Sequence, residues 1–303
     1  MRALRRHCLV PVTAVLLAAA VLGSSVPAAD RPKSDKLRIG VLESLFKGLP
    51  KTMALAASQP FRALMETQSG LQGELAAAGD VGFISQQLHE DKIDLAVFQG
   101  FEFAWARHKY PDFRPLMIAV NGSRHLQAHV LVQKQHPAQE LADLKGKSLA
   151  SPRTNRDHCR LYAERTCRTF GQTPLEFFGQ TPAPVNAEDA LDDVVDGTLS
   201  AVLVDGAALE SYKRRKPVRF DKLRELAKSE IFPAGVIAYR QGGLEASKVR
   251  RLRDGLIAAN QTAYGRQLLT LWKLTGFERV PDDYEQCLSD ILKAYPPPAD
   301  LSK

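Results

Sequence analysis

A chain of 303 residues, 45% hydrophobic and 25% charged, has room for one large domain or two of ordinary size. Its 41 lysines and arginines outnumber its 34 acids, giving a formal net charge of +7, but Arg2, Arg5 and Arg6 lie in an acid-free leader. The mild excess left after them does not mark a nucleic-acid binder, and beyond that leader no apolar stretch approaches the ~20 residues of a membrane span.

In "MRALRRHCLVPVTAVLLAAAVLGSSVPAAD" a basic start precedes an apolar run from Leu9 to Gly23, and Val26-Pro27-Ala28 forms a small-residue cleavage pattern. This predicts a secretory signal peptide over 1–28 and a periplasmic location, with an uncleaved anchor as the alternative. Cys8 precedes the apolar run, the wrong side for lipid attachment.

Strands and helices then alternate. "KLRIGVLE" (36–43) reads as a buried strand, followed by a helical stretch through Met65. "LQGELAA" is a short strand, "DVGFISQQLHED" a helix, "KIDLAVFQG" a strand stopping at Gly100, and "FEFAWARHK" a helix. "RPLMIAVNG" and "LQAHVLVQKQ" read as two long strands joined around 121–124. A second series opens at Leu141, with "KSLASP" a strand, "RDHCRLYAERTCRTFG" a helix closed by Gly171, "NAEDALDDVVDG" a helix closed by Gly197, and "LSAVLVDG" a strand. The basic run "YKRRKPVRF" (212–220) reads as a solvated helix end, because it has no element with interleaved aromatics to make a nucleic-acid platform. "EIFPAGVIAYRQ" (230–241) is a long returning strand, and everything after Leu244 reads as helix up to the prolines at 296–298. No fixed-period repeat is present, which excludes solenoids.

The long strands near 115–134 and 230–241 bracket the middle unit. They predict an outer lobe from residues 29–124 plus 236–303, a nested lobe from 125–235, a two-strand hinge and a cleft between α/β lobes suited to a ligand.

Four stretches, in order, carry a resemblance: "LHEDKIDLAVFQGFEFAWA", "QELADLKGKSLASP", "AEDALDDVVDGTLSAVLVDGAAL", and "IFPAGVIAYRQGGLEASKVRRLRDGL" with the later "TGFERV". Together they resemble the phosphate/phosphite/phosphonate-type solute-binding proteins of ABC transporters. The likeness runs from about Leu37 to Ala294. It implies the α/β, two-lobed class II periplasmic binding fold, with a mixed sheet and flanking helices in each lobe. It further implies capture of a small anionic solute for an ABC transporter permease, without cofactor or catalysis. The family's loop before the second lobe's first helix is rich in hydroxyls. Here the matching "SPRTNRDHC" is not, and it carries two arginines instead.

A helix start presents free N–H groups and a positive dipole end to an anion. Thr154 or Asn155 at that start serves either as a cap or as an anion ligand, and Arg153 beside them has the planar fork that suits phosphate or carboxylate. Strand ends supply the other candidates: Ser44, Leu45, Phe46 and Lys47 after the first strand, then Gln99 and Gly100 where a glycine permits close approach. Asp205 either receives a ligand ammonium or caps the next helix, and Arg124 lies at the crossover between lobes.

Three further patterns offer other chemistry. His125 and His129 have the i, i+4 spacing of a helical metal site, but on a strand they stand about 13 Å apart, so no metal is expected. Cys159 and Cys167 are separated by about 12 Å of helical rise, past the ~7 Å a disulfide allows, so any bridge involves Cys287 or another chain. A cysteine enzyme built on Cys159 is a rival reading; its neighbour His158 points about 100° away on a helix, so a different base would have to serve. A sensory protein of the same fold, uncoupled from transport, is the other rival.

Overall fold

The computed structural model describes residues 36–46, 51–299 and 301. The expected signal peptide and Lys47 lie outside the described residues.

In chain order, β1 (Lys36–Leu42), α1 (Lys51–Ser69), β2 (Gln72–Gly79), α2 (Val81–His89), β3 (Leu95–Phe98), α3 (Gly100–Lys109) and β4 (Phe113–Val120) build the first half of an outer sheet. The chain leaves through β5 (His125–Leu126) and forms β6 (Ala128–Gln133), β7 (Leu149–Ala150), α4 (Asp157–Arg168), α5 (Pro174–Phe177) and α6 (Ala187–Val195). It continues with β8 (Ala201–Asp205), α7 (Gly206–Arg215), α8 (Pro217–Phe220) and β9 (Leu223–Lys228). It returns through β10 (Phe232–Pro233) to β11 (Gly235–Arg240), α9 (Ala246–Ile257), α10 (Ala263–Leu271), β12 (Gly276–Glu278) and α11 (Tyr284–Ala294).

The outer sheet has the order β12-β4-β11-β3-β1-β2 and the nested sheet the order β7-β8-β6-β9, while β5 and β10 pair as a two-stranded ribbon on the path between them. In the outer sheet β1, β2 and β3 are parallel, and β11 enters antiparallel between β3 and β4. Alternation divides the outer core into two faces. Leu37, Ile39, Met117 and Ile237 pack with Leu64, Met65 and Leu252 on one side. Leu42, Ile118, Val236 and Ala238 pack with Ile84, Phe103 and Ile291 on the other. The nested sheet repeats this design: Val130, Val132 and Leu203 face Cys159 and Tyr162, whereas Leu131, Val202 and Val204 face Leu191 and Tyr212.

Several element readings are corrected. The segment after Leu244 is not all helix: β12 pairs with β4, and Lys273 at φ +54° closes the helix before it. Three residues are too few to show a strand period, which is why β12 was read through. β9, an edge strand with mixed burial, was missed for the same lack of a clean alternation. The strand expected to stop at Gly100 ends at Phe98, and Gly100 is the first residue of α3. The two long hinge strands are each broken, at Gln127 and at Ala234, and "KSLASP" shrinks to Leu149–Ala150.

Gly100 shows how tightly the outer lobe meets the ribbon. A Cβ there would fall 2.2 Å from the Pro233 carbonyl oxygen and 2.6 Å from that of Ala234, both backbone atoms. Gly100→Ala is therefore expected to lower stability by about 1–3 kcal/mol through overpacking, against a helix-propensity gain of at most about 1 kcal/mol. Urea unfolding checks this; an unchanged midpoint would contradict it.

Candidate functional site

Parallel neighbours end at the same edge of a sheet, so the segments following β1 and β3 meet. β1 runs into a 3-10 turn, Glu43–Phe46, and β3 runs through Gln99 into α3. Gln99 caps α3 by backbone geometry alone, with no side-chain hydrogen bond. Glu102, in the first turn, is only 7% exposed; it takes a hydrogen bond from the Ser44 hydroxyl at 2.9 Å and another from the Gln99 backbone. Burial is the main reason its carboxyl is pushed up to about 7, with Asp157 adding to the effect and Ser44 opposing it.

The nested sheet does the same with the parallel pair β7 and β8. After β7, a polar loop leads to α4, and Asn155 ties that loop to the end of β8 by donating to the Leu203 carbonyl at 2.7 Å. The Asn155 Oδ1 is buried with no partner among the described residues. Arg156 is the N-cap of α4 and, like Gln99, makes no side-chain cap. Asp157 opens the helix at 8% exposure, and His158 follows at 1% with its Nδ1 unpartnered among the described residues. Asp205, at the end of β8, is buried and accepts from the Ala208 N–H at 2.8 Å, so of its two expected roles the structure shows the helix cap.

The two helix starts both reach Phe232 of the ribbon, Phe101 of α3 at 6.3 Å and His158 of α4 at 5.4 Å. Glu102 on α3 feels the charges of Asp157 and Arg160 on α4. Arg160 lies 3.6 Å from Asp157 and donates to both Glu164 oxygens, at 2.8 and 2.9 Å. Next to Asp157, the His158 ring lies tilted against Phe232 of the ribbon at 5.4 Å, and burial pushes the imidazole down to about 4, leaving it neutral at pH 7.

Ser44 and the Gln99 backbone thus hold Glu102, Gly100 lies against the ribbon, and Asn155 and Asp205 stand at the strand ends of the nested sheet. Other expected residues go elsewhere. Leu45 is exposed, and Phe46 packs into the outer core. Arg124 is exposed and pairs with Glu278 on β12. Arg153 is exposed, its Nε donating to the Ala183 carbonyl at 3.1 Å, and Thr154 is exposed in the same turn. Glu102, Arg156 and Asp157 were not singled out as ligand contacts. The signal for Glu102 was present in "GFEFAWA", where an acid stands alone in an apolar run.

The thiol chemistry is corrected. His158 and Cys159 do touch, with Nε2 and Sγ 3.6 Å apart. Even so, burial pushes the Cys159 thiol well above its ordinary value, the opposite of an activated nucleophile. All three described cysteines are free, with Cys159 and Cys167 buried. His125 and His129 turn to different acids, Asp283 at 3.1 Å and Glu225 at 2.6 Å. Among the described residues no cluster of histidine, cysteine or acid can hold a metal, and no helix is long and apolar enough to cross a membrane.

The sequence profile of a family described as the periplasmic substrate-binding protein of ABC phosphonate transporters matches residues 50–284. No curated protein matches the sequence. Among solved structures, XAC2383 from Xanthomonas citri with bound ATP is 16% identical, with 86% of this chain and 97% of that one covered and a TM-score of 0.58. PhnD1 from Prochlorococcus marinus in complex with methylphosphonate is 12% identical, with 86% and 97% covered and a TM-score of 0.55. A binding-protein component of an ABC phosphonate transporter from Pseudomonas aeruginosa is 16% identical, with 88% and 91% covered and a TM-score of 0.52. At these identities the structural likeness speaks for the two-lobed α/β fold.

Proposed function

The chain belongs to the periplasmic substrate-binding proteins of ABC phosphonate transporters, a non-enzymatic family, and from that premise we propose that it captures a small phosphonate-, phosphate- or phosphite-like oxyanion between its lobes. It presents the closed complex to an ABC-type permease after export. The observation that carries this reading is the pair of helix starts, α3 and α4, that both reach Phe232 of the ribbon and have no side-chain caps. Free N–H groups and two positive dipole ends converge there.

In this reading the solute oxygens take N–H groups from the start of α4, with Gln99 contributed by the outer lobe, while Asn155 and Ser44 shape the site by holding the Leu203 carbonyl and Glu102. The guanidinium expected at Arg153 is supplied by Arg156, whose side chain makes no hydrogen bond or ion pair among the described residues. The lobes divide as 29–124 with 236–303, and 125–235. The division of strands between the two sheets supports this. Ligand bridging the lobes favours the closed over the open state, and closure is what a permease reads.

Thermal unfolding of the mature protein, residues 29–303, against phosphate, phosphite, methylphosphonate, sulfate, dicarboxylates, amino acids and sugars tests the proposal. A ligand at a hundred times its Kd stabilises by about 2.7 kcal/mol, or roughly 5–10 °C for a chain of this size. A shift with one oxyanion class that Arg156→Ala abolishes and Arg153→Ala spares is the expected result. A shift with a neutral sugar alone would overturn the oxyanion reading.

A further inference from the structure

One face of α4 lies along the boundary between the lobes. His158, Leu161 and Arg165 recur at i, i+3 and i+7, the spacing of a single helical stripe. His158 meets Phe232 of the ribbon, and Leu161 packs against the outer-lobe cluster that contains Phe232 and Tyr295. Arg165 lies over the Tyr295 ring, its guanidinium carbon 5.0 Å from the ring centre. It also donates to one Glu230 oxygen, and the Tyr295 hydroxyl donates to the other at 2.7 Å. Tyr295 belongs to the outer lobe: it is buried, and its carbonyl accepts from the Trp105 indole of α3. Glu230 lies in the chain that leaves β9 for the ribbon. An exposed Arg–Glu pair alone contributes little. Here one carboxylate is shared by a guanidinium from the nested lobe and a phenol from the outer one, and the guanidinium rests on that same phenol ring. The pairs Arg124–Glu278 and His125–Asp283, by contrast, tie the crossover to the outer lobe and involve no nested-lobe helix.

We propose that Arg165 is a positioning residue for solute capture: clasped to Glu230 and Tyr295, it holds the lobes in the arrangement in which both helix starts reach Phe232, so that solute affinity is set in part from outside the cleft. Arg165 stands two helical turns beyond the start of α4 at Asp157, about 12 Å of rise, and acts through the helix, not on the solute. Hydrogen bonds and one stacked cation can be released and remade as lobes open and close. Solute binds only the fraction of molecules in the competent arrangement, so releasing the clasp raises the apparent Kd as that fraction falls. For affinity this rests on the oxyanion reading above; for the arrangement of the lobes it does not.

Two readouts on the mature protein test this. Pulsed electron spin resonance between labels at Glu210→Cys on α7 and Gln267→Cys on α10, in a Cys287→Ser background, reads the separation of the lobes without solute. Titration calorimetry with methylphosphonate reads Kd. Arg165→Gln and Tyr295→Phe are each expected to move the distances to longer separations and to raise Kd about three- to tenfold, the size of a released ion pair or cation–π contact. Saturating methylphosphonate should return the distances to those of the wild type. Arg165→Lys, which keeps a charge over Tyr295 and beside Glu230, should recover most of both effects. Arg165 is half-exposed and Tyr295→Phe keeps the buried ring, so both variants are expected to fold. A merely structural role would lower the melting temperature and leave the distances alone. Unchanged distances in both variants overturn the clasp, and shifted distances with an unchanged Kd overturn its role in capture. If the wild type binds neither methylphosphonate nor phosphate, phosphite or sulfate, the oxyanion reading falls, while the distances still decide the clasp.

Discussion

Replacing Phe232 by alanine is expected to cost about 3–5 kcal/mol, enough to remove a large part of the stability of a typical domain. Phe232 is fully buried on β10, where it pairs with Leu126 of β5. Its ring meets Phe101 of α3 at 6.3 Å, Tyr295 after α11 at 4.8 Å and His158 of α4 at 5.4 Å. One side chain therefore joins both helix starts of the site to the ribbon and to the C-terminal segment. Tyr295 is fixed in turn: its hydroxyl donates to Glu230 at 2.7 Å, its carbonyl accepts from the Trp105 indole at 2.7 Å, and Arg165 lies over its ring. Such a junction cannot collapse around a void without moving several elements, so Phe232→Ala belongs at the costly end of its class. Denaturant unfolding measures the loss, and a change below about 1 kcal/mol, the range of volume-conserving swaps, would contradict the assigned packing.

The second large effect is on the dependence of stability on pH. The folded-state ionisation of Glu102 is raised from 4.5 to about 7. Its contribution is therefore fully present below pH 4.5 and is lost as pH rises through about 7, to a total of about 3 kcal/mol. Glu102→Gln keeps the shape of the protonated acid and removes the titration. The variant should match the wild type near pH 4 and exceed it by about 3 kcal/mol at pH 8, in the absence of solute. His158 works in the opposite sense: its ionisation is lowered from 6.5 to about 4, so its contribution is present above pH 6.5 and lost as pH falls through 4. The two slopes oppose each other between about pH 4.5 and 6.5, and only the difference between variant and wild type isolates Glu102. Parallel pH profiles for the two proteins would show that Glu102 is not held protonated.

Most of the element order was legible because its signals are local. "KLRIGVLE" is a continuous apolar run of the kind a doubly covered strand requires, and β1 is buried along nearly its whole length. Gly171 and Gly197, both at positive φ, follow α4 and α6 as read. The site was less legible because it depends on which side of a turn a side chain takes. Arg153 and Arg156 are three residues apart with the same chemistry. The Arg153 side chain binds a carbonyl in the loop, and Arg156 occupies the N-cap position without a side-chain cap. Nothing in "SPRTNRDHC" distinguishes them before the helix start is fixed at Asp157. The meeting of the α3 and α4 starts on Phe232 was beyond reach altogether, since it arises only when two lobes, each folded around its own sheet, come together.

The double passage through the β5–β10 ribbon also sets the order in which the protein can be assembled. The nested sheet is complete in sequence at Lys228, but β11, the strand that separates β3 from β4, begins only at Gly235. A chain emerging from its N-terminus therefore holds β3 with one open edge and β4 with both edges open while the nested sheet is being made. Unpaired edges of this kind recruit other chains. Residues 36–120 thus keep unpaired edges longest, and a chain truncated between Lys228 and Gly235 is expected to hold a complete nested sheet attached to an aggregation-prone outer one.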